Sequence, residues 1–475
     1  MTYFNNEFKV LTQEQLERVH ALTLEVLRLK GVLFHSALSR DILAAHGAKV
    51  DGDCVTFPPS LVEQSLRNCP AGFFWHARDP QKSIYTGEGQ TDVFVMQDHG
   101  PVYVQERHGE RRHGTMQDVI NFYKLGQTSR VNAIVGQCTV DPHEADGPNK
   151  HLLVTHQLLK HTDKPILSWP VASIEENEKV FRMVEMVMGE GYLSSHYFLT
   201  ASVCALSPLQ YAQESADTII AYARANQPVT VLTAPMTGVS APIGDIAALV
   251  SQNAELLAGI VLAQAVRPGV PVIYGTATYA ADMRSGAFVT GAPISNLIDR
   301  AALQLAQSLY HLPTRTLAGN TDAKIPDIQA GYETMQNYIQ LLMGGTHMIN
   351  ECLGILDGMM TVSYEKYIID EEMLRRVDCM MRGLDTSPAA FDIGVLLETP
   401  HMEPFLMHES TLAACANQWT PDVACWSNYD TWRAEGCPSI LDKAAEKVRE
   451  RLESAPSDLL GPDLNRDLAA FAERG

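Results

Sequence analysis

Seven short apolar runs recur along the second quarter and the middle of the chain: VNAIVGQC (131–138), PILSWPV (165–171), SHYFLTASV (195–203), PVTVLTAP (228–235), PVIYGTATY (271–279), PTRTLAGN (313–320) and THMINECLG (346–354). Helical patterns fill the gaps, and the runs follow one another at roughly 30 to 45 residues, the length of a strand, a loop, a helix and a return. Seven such units, with an eighth strand expected near GMMTVS (358–363), predict a closed (β/α)8 TIM-type barrel of the α/β class. The competing architecture, an open doubly wound sheet, would be favoured by a glycine-rich phosphate loop after a strand. Neither GxGxxG nor GxxxxGK[ST] occurs.

The flanks read differently. Residues 11–30, LTQEQLERVHALTLEVLRLK, place apolar side chains at helical spacing behind Thr12 with Gln15 three residues on, a capping signature. PPSLVEQSLRNCP predicts a second helix between prolines. FFWHARDP, TDVFVMQDHG and PVYVQ read as strands of a small sheet. The expected organisation is an N-terminal α+β cap (1–115), a barrel core (116–370) and a mostly helical C-terminal extension (371–475) packed on the barrel or on another subunit, which favours a homo-oligomer. DKAAEKVRERLESA reads as a solvated amphipathic helix.

The length of 475 residues suits one large barrel or two domains. No run of about 18 uninterrupted apolar residues occurs, so no bilayer-spanning segment is expected, and MTYFNNEFKV lacks the basic and apolar regions of a signal peptide. Nine cysteines without paired spacing suit a reduced, cytoplasmic protein. A formal net charge of -20 repels phosphate backbones and anionic membranes, which argues against a nucleic-acid or membrane partner. It is compatible with a cationic ligand, but plain solubility is the simpler explanation.

In a barrel of this kind the chemistry sits on loops after the carboxyl ends of the strands. GNTDAKIPDIQAGYE (319–333) follows an apolar strand with a dense set of polar side chains, so it is expected at the mouth. Its neighbours there would be Cys138 and Asp141, Trp169, Ser202, Pro235, the span from Tyr279 to Arg284 and that from His347 to Glu351. His99, His108 and His113 with Cys138, Asp141 and His143 invite a zinc reading, but their spacing matches no metal signature and no metal is expected. No GxSxG elbow is present.

LTQEQLERVHALTLEVLRLKGVLF, AAHGAKVDGDCVTFPPSLVEQSL, HARDP, THQLLKHTDKPI, SPLQYAQESADTIIAYARANQPV, GVSAPIGDIAALVSQNAELLAGIVLAQAVRPGVPVIYGTATYAADMRSGAFVTGAP, NTDAKIPDIQAGYET and SYEKYIIDEEMLRRV occur in this order. Together they resemble the trimethylamine methyltransferase family. The resemblance implies a barrel that moves a methyl group from a methylated amine to the Co(I) of a separate corrinoid-binding protein. It implies no tightly bound cofactor, the corrinoid (cobalamin) being carried by that partner. Members that demethylate trimethylamine carry pyrrolysine, whereas this sequence has only the twenty standard residues. The resemblance is therefore to the pyrrolysine-free branch acting on small quaternary amines, betaines first.

Such a substrate can do without the special residue. A quaternary nitrogen already carries positive charge, so a methyl group taken from it leaves a neutral tertiary amine and no proton need be supplied. The protein's task is to position the cation and exclude water. Aromatic faces hold trimethylammonium groups at on the order of 0.5 to 2 kcal/mol each. Too firm a hold would slow a reaction in which charge is lost, so a partial cage is expected. Tyr279 is its first candidate, with Trp169 and Tyr103 behind it; for each, plain core or rim packing is the alternative. Arg284 or His347 would anchor a carboxylate. Asn320 and Asp322 should face the mouth, with Gln329 and Glu333 on one helical face. Asn320 is expected to bind substrate, and Asp322, Gln329 and Glu333 to carry the catalytic role, or else merely to favour a helix start. Rival readings are a folate-linked demethylase that uses no corrinoid and a betaine-binding protein without catalysis.

Overall fold

Eight parallel strands close into a barrel in the computed structural model, which describes residues 8–475 apart from 108, 146, 170, 172 and 416. The first seven residues of the expected amino-terminal cap, and His108, lie outside the described residues. The strands are β1 (Phe94–Met96), β2 (Asn132–Gly136), β3 (Ile166–Ser168), β4 (Leu199–Ala205), β5 (Val229–Thr233), β6 (Val272–Thr276), β7 (Thr314–Leu317) and β8 (Met348–Asn350). Each is followed by a helix: α1 (Met116–Thr128), α2 (Lys150–His161), α3 (Ile174–Met188), α4 (Gln213–Arg224), α5 (Asp245–Val266), α6 (Pro293–Ser308), α7 (Ile328–Leu342) and α8 (Tyr364–Arg382). β8 pairs with β1 to close the ring.

Strand alternation sorts the side chains into two sets. Leu199, Ala201 and Val203 on β4, with Val229 and Val231 on β5, join the large apolar cluster between barrel and helices. The opposite face points to the axis, where it is layered. At the amino-terminal end Met96, Ile134, Leu167, Ile273 and Met348 form one apolar layer with Phe73 and Trp75. Those two aromatics come from a hairpin (Gly72–Trp75 and Ile84–Gly87) laid across that end of the barrel. Trp75 is wholly buried there, and its indole donates to the Phe198 carbonyl at 2.9 Å. At the carboxyl end Leu232, Ala277, Tyr279 and Leu317 form a second layer.

All seven runs read as strands contribute one barrel strand each. The eighth is a correction: it is not GMMTVS but FVM within TDVFVMQDHG, ahead of residue 116. Three residues are enough for it because β8 and β2 supply both ladders. Thr361–Val362, inside GMMTVS, instead joins a mixed four-stranded sheet with Ile355–Leu356, Tyr103–Gln105 and Arg111–His113 beside the mouth. The helix Gln13–Leu29 carries the expected capping box of Thr12 and Gln15. It packs on α5, as do the helices Ala37–Ala45 and Pro59–Asn68. Length and composition alone would let α5 cross a membrane, but it is a core helix, with 83% of its apolar window buried. At the other end of the chain, helix Ile440–Ser454 packs on α8 and α1, and helix Pro462–Arg474 on α2 and α3.

Candidate active site

Two strand tips at the mouth leave the ordinary backbone regions. Gln137, one residue past β2, has φ 45°, and Glu351, one residue past β8, has φ 50°. A left-handed conformation at a residue other than glycine is retained only where its surroundings hold it. Tyr123 donates its hydroxyl to the Gln137 carbonyl, while both polar atoms of the Gln137 side chain are buried without a hydrogen-bond partner. The Glu351 carboxylate is wholly buried and accepts from the backbone N–H of His99 at 3.1 Å and from His99 Nδ1. His99 lies three residues past β1, so this pair ties together the two strands that close the barrel.

His99 also borders a cavity of about 270 Å³ with Pro101, Gln137, Cys138, Asp141 and Trp169, at the carboxyl ends of β1, β2 and β3. That is below the roughly 300 to 1,000 Å³ usual for drug-sized ligands, and suits a smaller one. Its wall is mainly apolar. Asp141 is engaged by Lys150 at 2.6 Å. Buried carboxylates brace the surrounding loops. Asp98 accepts from the backbone amides of Cys352 (2.6 Å) and Leu353 (2.9 Å), and burial beside Glu351 pushes its pKa well up. Glu255 of α5 accepts from Thr233, Ser207 and the Leu209 amide. Asp299 of α6 accepts from Thr276 and Thr278; burial raises it to about 6.

Nearer the axis, Tyr279 donates its hydroxyl to Met359 Sδ at 3.0 Å, and its ring centroid lies 4.4 Å from that of Phe288. Phe288 and Tyr279 belong to a small sheet (Met236–Thr237, Tyr279–Ala281, Phe288–Val289) built from the loops after β5 and β6. In the barrel interior Arg315 of β7 is fully buried. Its Nη2 donates to Asn350 Oδ1, and Asn350 Nδ2 donates to the Gln97 carbonyl at 2.5 Å.

Comparison with known proteins fits this architecture. The family model described as trimethylamine methyltransferase matches residues 2–475. The chain belongs to the trimethylamine methyltransferase family. It is 32% identical over 477 residues to a glycine betaine methyltransferase of Desulfitobacterium hafniense, spanning 99% of this chain and 98% of that protein. It is 32% identical over 400 residues to a proline betaine:corrinoid methyltransferase of Eubacterium limosum, with 81% and 80% of the two chains covered. Among solved structures, the monomethylamine methyltransferase of Methanosarcina barkeri matches with a TM-score of 0.54 at 10% identity, over 94% of this chain and 90% of that one. That last likeness concerns the fold alone.

Within this member of the family the residues singled out from sequence separate into groups. Trp169 is in the cavity wall with Cys138 and Asp141, and Tyr279 is in the mouth layer. Asp322, Gln329 and Glu333 do come together, but their bonds run to the protein itself. Asp322 accepts from the Thr290 amide (3.0 Å) and the Gly291 amide (2.9 Å), and Glu333 from the Asp322 amide (2.9 Å), the Thr321 hydroxyl (2.5 Å) and Gln329 Nε2 (2.9 Å). The trio thus stitches the loop after β7 to the loop after β6. Asn320 is buried and its Oδ1 has no hydrogen-bond partner.

Three placements depart from expectation. His347 precedes β8, so it stands at the amino-terminal end of the barrel, away from the mouth; its Nδ1 accepts from the Thr314 amide at 3.0 Å, and burial lowers its pKa to about 4. Arg284 is exposed in the turn between Tyr279–Ala281 and Phe288–Val289. The ring of Tyr103 is covered by the Arg111 guanidinium, 4.3 Å from its centroid, and by His113, 4.9 Å away. Among the described residues no three His, Cys, Asp or Glu side chains converge to hold a metal ion. The sequence presents His99 only as a possible metal ligand and carries no local sign of Gln137. A lone arginine inside the apolar run PTRTLAG was the one local signal for Arg315.

Proposed function

We propose that this protein transfers a methyl group from a small quaternary amine of the betaine type to the Co(I) of a corrinoid carried by a separate protein. The observation that carries this reading is the end-to-end likeness to a glycine betaine methyltransferase, covering 99% of this chain. The mouth is consistent with it. A trimethylammonium group needs an aromatic face and a nearby negative charge; Trp169 supplies the first and the buried Glu351 carboxylate behind His99 the second. The corrinoid supplies the nucleophile, a lone pair on Co(I). The C–N bond breaks, its electron pair stays on nitrogen, and the neutral tertiary amine leaves without taking up a proton. The chain's own residues orient the cation and keep water from it.

A partner must approach from the same side, and the segments that follow β4 to β7 expose Leu206, Val239, Ile243 and Met283 in the mouth loops and Ile328 and Tyr332 in the first turns of α7. An exposed apolar rim around the mouth supports protein docking there. Between Leu384 and Leu412 the chain exposes Phe391, Leu397, Met402 and Met407, which supports self-association through the C-terminal extension. Nine free thiols suit a reducing, cytoplasmic setting.

The test is spectroscopic. Purified protein mixed with glycine betaine and free cob(I)alamin under anoxic conditions is expected to yield methylcobalamin and dimethylglycine in equal amounts. Demethylation of uncharged tertiary amines alone, or transfer to tetrahydrofolate without any corrinoid, would overturn the reading.

A further inference from the structure

We propose that Arg315 is the carboxylate-binding subsite of this barrel and selects quaternary amines that carry an acidic tail. This rests on the betaine reading above and goes beyond it by naming the residue that reads the end of the substrate remote from the methyl group. Arg315 is the second residue of β7 and lies in register between Gly275 of β6 and Met348 of β8. Its exposure is 0%, yet Nε and Nη1 have no hydrogen-bond partner. Only Nη2 is satisfied, by Asn350, whose amide is held the right way round because its nitrogen donates to the Gln97 carbonyl.

A buried guanidinium with two idle donors is costly, because a cation has left water with only part of its hydrogen bonding replaced. The nearby carboxylates of Glu351 and Asp299 act on it through charge, but their hydrogen bonds are made elsewhere. Glu351 takes both of its hydrogen bonds from His99, and Asp299 takes its own from Thr276 and Thr278. Nε and Nη1 face different edges of the guanidinium, but the second hydrogen of Nη2 completes a two-donor edge with one or the other, the arrangement that matches a carboxylate bidentately. At the amino-terminal end the Trp75 layer seals the barrel, so an anion that meets this edge comes from the mouth. A betaine has the complementary charge pattern: its cationic head toward His99–Glu351 and Trp169, its carboxylate toward Arg315. Arg284 and His347, the anchors suggested by sequence alone, lie on the surface and at the far end.

The test compares three ligands on wild type, R315M and R315K by isothermal titration: glycine betaine, choline, and 3,3-dimethylbutyrate, the uncharged-head carbon analogue of glycine betaine. Wild type is expected to prefer glycine betaine to choline by about 30-fold or more. R315M is expected to lose about 100-fold in glycine betaine affinity, to lose 3,3-dimethylbutyrate binding, and to hold choline within threefold. R315K, with the charge and without the fork, should fall between. Equal wild-type affinity for glycine betaine and choline overturns the proposal whether or not any variant folds. So does a folded R315M that still binds 3,3-dimethylbutyrate as wild type does. If wild type binds both carboxylates through Arg315 but forms no methylcobalamin, the subsite stands and the methyl-transfer reading falls.

Discussion

Glu351 and His99, 252 residues apart in sequence, meet through two hydrogen bonds from one residue to a single carboxylate. The contact fixes the imidazole at the cavity edge and places negative charge behind it. E351Q keeps the shape and removes the charge. Hydrogen bonds to charged groups are worth about 1.5–3 kcal/mol, so kcat/KM for glycine betaine is expected to drop by about 10- to 100-fold in steady-state assays. A change within twofold, in a variant that unfolds at the wild-type temperature, would show Glu351 to be a brace only.

Trp169 presents the aromatic wall of the cavity. W169A should raise the dissociation constant for glycine betaine about 10-fold, while W169F should restore most of it. Binding measured without any corrinoid separates this effect from chemistry. Equal weakening by both substitutions would count against an aromatic contact with the cation.

Asp322 holds two loops together through the Thr290 and Gly291 amides. D322A strands the Thr290 and Gly291 amides and is expected to cost about 1–3 kcal/mol of stability, read by urea unfolding. A variant of wild-type stability whose kcat fell more than a thousandfold would instead restore a chemical role to this carboxylate.

His347 gives a pH signature. Its folded pKa is lowered to about 4 by burial, below the ordinary 6.5. Between those values the unfolded chain takes up a proton that the folded chain refuses, so the contribution of this group to stability is complete above pH 6.5 and is lost as pH falls toward 4. H347Q lacks that loss. The stability difference between wild type and H347Q should therefore shrink by about 2 kcal/mol from pH 7 to pH 5. A constant difference would mean that folded His347 takes up its proton as readily as the unfolded chain does.

The barrel was largely readable because buried parallel strands need unbroken apolar, β-branched runs, and seven of them stand out. β1 escaped because three residues, Phe94–Met96, carry too little pattern beside the other extended pieces around them. The site was less readable for a related reason. Trp169, Cys138 and Asp141 lie just past recognisable strands, so the rule that chemistry sits at strand ends found them. The pairing of Glu351 with His99 depends on ring closure between the first and last strands, which leaves no local spacing. Arg315 looked like an oddity in an apolar strand because its partner, Asn350, is supplied by the neighbouring strand. The polar run at 319–333 drew attention for its density, but much of it is loop stitching: short carboxylates beside backbone amides are also what a fixed turn requires.

The Trp75 plug closes the amino-terminal end of this barrel, which among the described residues leaves the mouth as its doorway. A corrinoid protein seated over that doorway would shut in whatever lay beneath it, so the amine must enter first and the demethylated product can depart only after the partner has gone. Turnover would then follow a compulsory order, and excess corrinoid protein would act as an inhibitor competitive with the amine by capping the vacant enzyme.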